Sequence, residues 1–250
     1  MPDIHIRRLG LTDYRTTWEA MRAFTHARTP DTPDEFWLTE HPPVFTLGQS
    51  GRREHLLQDI GIPVIQSDRG GQITYHGPGQ LILYLLMDLR RRNLTIGAMV
   101  RRIEAAIMAC LCREGLIVNR KKGAPGIYMG ERGEGAKIAA LGLRVTRGAT
   151  YHGLSLNVDM DLSPFAAINP CGYPGLAVTQ MKDEGLAMPL DAAGELLSQA
   201  LLAEFSDTGS AWASGLIPTD GQSVNTLLHS KNDENRSRSV IPAKAGTTRE

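Results

Sequence analysis

The stretch Leu81-Ile-Leu-Tyr-Leu-Leu-Met-Asp-Leu89 constrains this 250-residue chain more than any other. Its apolar side chains fall on both odd and even positions, so a strand built from it is hydrophobic on both faces. The spacing predicts a central strand, covered from both sides. The clean apolar run, Leu81 to Met87, is also far too short to span a bilayer.

Around this strand the periodicity predicts three helices. Tyr14, Trp18, Met21 and Phe24 form one apolar face over Thr12 to His26. Ile96, Val100, Ile103, Ile107 and Cys110 do the same over Thr95 to Gly115, with Thr95 as the starting cap and Gly115 as the stop. Asp191 to Phe205 is the third. Glu35 to Gln49 reads as two strands broken at Pro42-Pro43, Pro63 to Ser67 as a short strand, and Gln72 to Tyr75 as a strand leading into a Gly/Pro turn. Gly126 to Asp159 reads as a three-strand antiparallel meander with turns at GERGEG and TRGAT. Beyond Ile217 aromatic residues disappear and charge dominates. Residues 1–216 are therefore expected to form the folded domain and 217–250 a disordered tail.

Charge and cysteine usage exclude several functions. With 27 basic and 27 acidic residues the net charge is zero, which argues against a nucleic-acid-binding surface spread over the whole molecule. The N-terminal segment MPDIHIRRLG has no apolar signal region, which points to the cytoplasm and to no membrane. Cys110, Cys112 and Cys171 form no CxxC pair, and the histidines show neither HxxxH nor HExxH spacing, so neither a disulfide scaffold nor a metal centre is expected.

Two segments remain as candidates for chemistry. Arg69-Gly-Gly-Gln-Ile-Thr-Tyr-His-Gly-Pro-Gly-Gln80 packs four glycines and a proline into twelve residues, which brings backbone N–H groups close to a ligand. Its arginine can orient an anionic or carbonyl group, although a purely structural strand-to-strand loop has the same composition. It matches neither a GxxxxGK[ST] nor a GxGxxG phosphate motif. Ile168-Asn-Pro-Cys-Gly-Tyr-Pro-Gly175 fits a type I turn with Cys171 at its third position, in the bridge region of backbone space. Cys110 and Cys112, within AIMACLC, read as inert core residues. A nucleophilic Cys171 needs a nearby cation to favour its thiolate; Lys137, His41, His76 and His152 are the candidates. In the meander, a two-residue turn at Gly148-Ala149 would pair Gly142 with Ser155. Ala140, Gly142, Gly153 and Ser155 then make a patch of small side chains, suited either to a slender apolar ligand or to a closely packed helix. Strict alternation places Lys137 on the opposite face from Ala140, so both serve one site only if a bulge intervenes or Lys137 precedes the regular strand.

The stretches WLTEHPPVFTLGQSG, RGGQITYHGPGQLILY, GAPGIYMG, AKIAALGLRV, YHGLSLNVDMDL and INPCGYPG together resemble the octanoyl-[acyl-carrier-protein]:protein octanoyltransferases, or lipoyl(octanoyl) transferases. The resemblance extends from near the N-terminus to about Phe205. It implies a single α/β (α+β) domain like the catalytic domain of biotin and lipoate protein ligases, with mixed, largely antiparallel sheets packed with helices. It makes Cys171 the acyl-accepting cysteine and Lys137 the residue that favours its thiolate. Substrate contacts fall on Arg69, Gly70, Gly71, Gln72, Ile73, Thr74, Tyr75 and His76, on Ala140, Leu141 and Gly142, and on Gly153, Leu154 and Ser155. His41 and His152 are read as groups that support these contacts from behind.

The implied reaction moves an octanoyl group from acyl carrier protein to a lysine ε-amine on lipoyl domains of 2-oxoacid dehydrogenases and on the glycine cleavage H protein, without cofactor. The acidic carrier would need a basic patch, for which arginines 90–92 and 101–102 or Arg120-Lys121-Lys122 are candidates. An ATP-dependent ligase, a lipoyl-domain amidotransferase and a non-catalytic acyl-binding module are the competing readings. ATP dependence, acceptor choice and loss of a Cys171 adduct would distinguish them.

Overall fold

The computed structural model describes residues 4–206; the expected tail from 217 onward lies outside them. Strand β6 (Gln80–Leu86) is the central strand that its composition demands, with all seven residues buried. Leu81, Leu83 and Leu85 point into one core, against helices α2 (Ile96–Arg113) and α3 (Leu190–Phe205). Ile82, Tyr84 and Leu86 point into another, against Met21 and partly buried Trp18 of α1 (Tyr14–His26). A strand apolar on both parities thus serves two separate cores.

The remaining strands are β1 (Ile4–Leu11), β2 (Asp34–Glu40), β3 (Val44–Leu47), β4 (Val64–Gln66), β5 (Ile73–His76), β7 (Val118–Lys121), β8 (Ala124–Met129), β9 (Lys137–Thr146) and β10 (Ala149–Asn157). Among the described residues they form a seven-stranded sheet ordered β1-β2-β6-β10-β9-β8-β7 and a three-stranded sheet ordered β4-β3-β5. Among these described strands the β1–β2 and β3–β4 pairs are parallel and the other pairs antiparallel. The Pro42-Pro43 break sends β2 into the large sheet and β3 into the small one. The small sheet has its own core of Phe45, Leu47, Ile73, Tyr75, Phe165 and Ile168. No helix among the described residues is long and apolar enough to cross a membrane.

The helices match the expected spans to within two residues, and Thr95 caps α2 by accepting from the Ala98 N–H at 3.2 Å. The face of α2 differs from expectation at its first turn: Ile96 is 45% exposed. That turn overhangs the mouth of a cavity, which Ile96 and Val100 help to line. Cys112 is also exposed, whereas Cys110 is buried. Two residues apart on a helix, the two cannot share a face.

The meander forms over β8–β10, but its hairpin turn is Arg147-Gly148, one residue earlier than expected. Both residues have positive φ, 50° and 84°, as the two-residue turn that matches strand twist requires. Ala149 lies outside the turn and pairs with Thr146, so Gly142 faces Gly153 and Ala140 faces Ser155. The shift moves each partner by two, and the small residues therefore stay on one face.

Candidate active site

The segment after β4 folds over the small-residue face of β9 and β10. The Gly70 N–H donates to the Leu143 carbonyl at 2.9 Å. This lid and the sheet enclose a cavity of about 480 Å³, within the range of small-molecule sites. Of the expected substrate contacts, Arg69 to Thr74, His76, Ala140 to Gly142 and Gly153 to Ser155 all line it, together with Lys137, His152 and Cys171. Tyr75 does not. Its ring packs between Phe45 and Phe165, at centroid distances of 5.6 and 5.5 Å, inside the core of the small sheet. Along β5 alternate side chains point to opposite faces, which separates Tyr75 from Thr74 and His76.

Lys137 and Cys171 meet at the cavity wall, Nζ to Sγ, at 3.2 Å. Lys137 is the first residue of β9, and the register slips there: Ile127 pairs with Ala139 but Tyr128 with Lys137. This irregularity brings Lys137 to the same cavity as Ala140, against strict alternation. The ammonium also donates to the Pro125 carbonyl at 3.0 Å and stands 5.0 Å from the Tyr128 ring centroid. Lys137 is only 4% exposed. Burial works against its charge, but Cys171 and Tyr128 outweigh that cost and hold its pKa above the ordinary lysine value.

Cys171 is half-buried on its turn. The Gly172 N–H closes the turn on the Asn169 carbonyl at 2.9 Å. Cys171 itself has φ 56° and ψ 17°, the left-handed region rather than the expected bridge region. For a residue with a Cβ that conformation costs roughly 1–2 kcal/mol. It is held by the Asn169 N–H donating to the His55 carbonyl at 2.8 Å and by a bridge between Leu56 and Ile168. The supporting Arg53–His55 turn carries no sequence signal that marks it.

Arg69 lines the cavity, and its guanidinium also binds back onto its own loop. It is buried, and Nε donates to Thr46 Oγ1 at 3.0 Å, Nη1 to the Gly70 carbonyl at 2.9 Å and Nη2 to the Gln72 carbonyl at 2.7 Å. It ties the glycine loop together and places a buried positive charge near Cys171. Thr46 also contacts His76 Nε2 at 3.2 Å, while His76 Nδ1 lies 2.6 Å from Gln80 Oε1. Gln80 donates its amide N–H to Asn157 Oδ1 at 2.9 Å, so its oxygen accepts from His76. That leaves Nε2 to accept from the Thr46 hydroxyl, which fixes the tautomer. Burial pulls the His76 pKa down to about 3, so the ring is neutral.

His152, in the cavity lining, is held by Asp68. Asp68 accepts from Trp18 Nε1 at 2.8 Å, from the Tyr151 hydroxyl and from His152 Nε2 at 2.9 Å. These donors overcome its partial burial and hold Asp68 well below the usual carboxylate range. Burial in turn lowers the pKa of His152. His41 stands behind the cavity, where Nδ1–H donates to the Thr12 carbonyl at 2.7 Å and Nε2 accepts from the Tyr84 hydroxyl at 2.6 Å. Tyr14 and Tyr84 line the cavity, although periodicity marks them only as core residues.

Of the basic runs, 90–92 is largely engaged internally. Arg91 and Arg92 share the buried carboxylate of Asp34 with Arg28. Lys121 and Lys122 are exposed, and the next residue, Gly123, accepts from the hydroxyl of Tyr173 on the cysteine loop at 3.3 Å.

Residues 13–204 match the family model of the lipoyl protein ligase A/B catalytic domain. The chain is 59% identical over 200 residues to the octanoyltransferase of Aromatoleum aromaticum, covering 80% of this chain and 85% of that one. It is 56% identical over 202 residues to the octanoyltransferase of Dechloromonas aromatica, covering 81% and 96%. Among solved structures, the bipartite lipoate protein ligase of Thermoplasma acidophilum superposes with a TM-score of 0.65 at 16% identity, over 82% of this chain and 84% of that one. A lipoate-protein ligase A bound with ATP gives 0.64 at 18% identity, over 82% and 85%. The α/β fold is thus that of the lipoate ligases, while the sequence relatives are acyltransferases. The chain belongs to the octanoyltransferase family, built on the lipoyl protein ligase A/B catalytic domain.

Proposed function

We propose that this enzyme transfers an octanoyl group from acyl carrier protein to a lysine ε-amine of a lipoyl domain through a thioester on Cys171. The observation that carries this reading is the buried Lys137 ammonium 3.2 Å from Cys171 Sγ, at the wall of a cavity floored by small residues. The ammonium favours the thiolate, which attacks the carrier thioester. The carbon–sulfur bond to the carrier breaks, and the departing thiolate takes a proton from Lys137. Acylated Cys171 is neutral, so Lys137 has lost the partner that held its proton, and burial now favours its free amine. The acceptor lysine, entering as the free amine, attacks the thioester carbonyl. Lys137 takes its proton, Cys171 leaves as the thiolate, and the starting ion pair is restored.

Exchange of one thioester for another is nearly balanced, and conversion of thioester to amide is downhill, so the cycle needs no ATP. His76 and His152, held neutral, shape the site rather than move protons. The Lys121-Lys122 turn, tied to the cysteine loop through Tyr173, is the surface best placed to receive the acidic carrier. The acceptors are the lipoyl domains of 2-oxoacid dehydrogenases and the glycine cleavage H protein, and the site of action is the cytoplasm.

Intact-protein mass spectrometry tests the cycle. Mixing with octanoyl-acyl carrier protein, without ATP, should add one octanoyl group to the wild type and none to Cys171→Ser. A lipoyl domain should then discharge the adduct. Octanoylated domain formed equally by both proteins would refute the covalent route, and a requirement for ATP would favour ligation.

A further inference from the structure

The transfer cycle makes no use of a buried carboxylate on α2. Glu104 is 7% exposed and lies on the inward face of the helix. Its Oε1 accepts from the Gly126 N–H at 3.2 Å, and its Oε2 pairs with Arg120 Nε at 3.1 Å. The Gly126 N–H and the Pro125 carbonyl belong to a single peptide group, and that carbonyl is the one that accepts from Lys137 Nζ at 3.0 Å. In a planar trans peptide the N–H and C=O point in opposite directions. A carboxylate that anchors the N–H on one side therefore sets the direction of the carbonyl on the other. It also polarises the peptide, making the carbonyl a stronger acceptor for the ammonium.

The local backbone is built for this approach. Gly126 has φ 132°, and a Cβ there would lie 2.9 Å from Lys137 Cε and 2.7 Å from the Ala139 carbonyl oxygen. We infer that Glu104 is a positioning residue for the transfer reaction: through the Pro125–Gly126 peptide it holds the Lys137 ammonium against Cys171, with Arg120 orienting its carboxylate. This rests on the roles assigned to Lys137 and Cys171 above.

The test is the pH profile of Cys171 alkylation by iodoacetamide in the full-length protein, with Cys110 and Cys112 replaced by serine throughout. Glu104→Ala and Glu104→Leu should slow alkylation near pH 7 by roughly three- to tenfold, the change expected when the profile moves by about half to one pH unit. Glu104→Gln, which keeps a carbonyl acceptor for the Gly126 N–H, should restore the wild-type profile. Glu104→Ala should add nothing in a Lys137→Ala background. A wild-type profile in Glu104→Ala, with Lys137→Ala slowed, overturns the positioning role and leaves the Lys137–Cys171 pair standing. A wild-type profile in Lys137→Ala defeats both. Should the alanine and leucine variants fail to fold, Arg120→Ala, which frees the Glu104 carboxylate, decides: alkylation slowed in the wild-type background but not further slowed in a Lys137→Ala background supports the inference, and a wild-type profile overturns it.

Discussion

Cys171 and Lys137 lie 34 residues apart in sequence, and each has a context that invites a bland reading: a loop cysteine and a lysine among small apolar neighbours. Their contact gives each its meaning. Lys137→Ala is expected to slow iodoacetamide alkylation of Cys171 near neutral pH. The same substitution should slow both formation and discharge of the proposed acyl-enzyme, because in that cycle Lys137 gives a proton in one step and takes one in the other. Cys110 is the internal contrast. Burial pushes its thiol up to about 12, so it should stay unlabelled in the native protein at pH 8. Arg69 shows that a cation in a glycine-rich loop can also bind the loop itself together. Its guanidinium binds Thr46, Gly70 and Gln72, which no spacing rule reveals.

Among the elements, the hairpin β9–β10 and the loop over it set the shape of the cavity. At Gly153 a Cβ would stand 2.0 Å from the Leu83 carbonyl oxygen on neighbouring β6, backbone that cannot swing aside. Gly153→Ala should therefore cost about 1–3 kcal/mol, the range for overpacking, read as a lower midpoint in urea unfolding. Asp34, the first residue of β2, is fully buried and joins Arg28 to the adjacent pair Arg91 and Arg92. Asp34→Ala should destabilise by about 3–5 kcal/mol, because it strands buried cations rather than removing one contact. At the Lys121-Lys122 turn, charge reversal should raise KM for acyl carrier protein while leaving kcat and KM for a small octanoyl thioester unchanged. An unaltered KM for the carrier would reject that surface.

Over the whole molecule, three histidines, His41, His76 and His152, are buried with depressed pKa values. The folded state binds fewer protons on them than the unfolded chain does, so their contribution to stability is complete above the unfolded value near 6.5 and is lost as pH falls. Each costs up to about 1.4 kcal/mol per pH unit below that value, and for His76 the loss continues toward about pH 3. Asp68, held low by its donors, acts in the same direction under more acidic conditions. Urea midpoints should thus decline between pH 7 and 5, and His76→Gln should flatten the decline. The residues that line the cavity run from Tyr14 to Tyr173. A chain ending at residue 216 is expected to retain full acyl transfer, which an activity assay on the truncated protein checks.

Periodicity and punctuation made the three helices, the central strand, the Pro42-Pro43 break and the meander readable, because each rests on burial of local apolar patterns. Strands β1 and β7 escaped. They are the two edges of the large sheet: β7 is short and buries only Val118, and the alternation of Ile4 and Ile6 in β1 breaks off at Arg7-Arg8. The small-residue face was legible because hairpin parity survives a two-residue error in register. The side-chain connections were not. Whether Tyr75 faces the cavity depends on which face of β5 meets the core of the small sheet. Where the Arg69 guanidinium lies depends on Thr46 and the loop carbonyls. Whether Lys137 reaches Cys171 depends on a register slip between β8 and β9 and on a left-handed turn. Distant carbonyls and the Glu104 carboxylate hold the peptides that set these positions. Such contacts join residues far apart in the chain and leave no local pattern, so only the tertiary structure decides them.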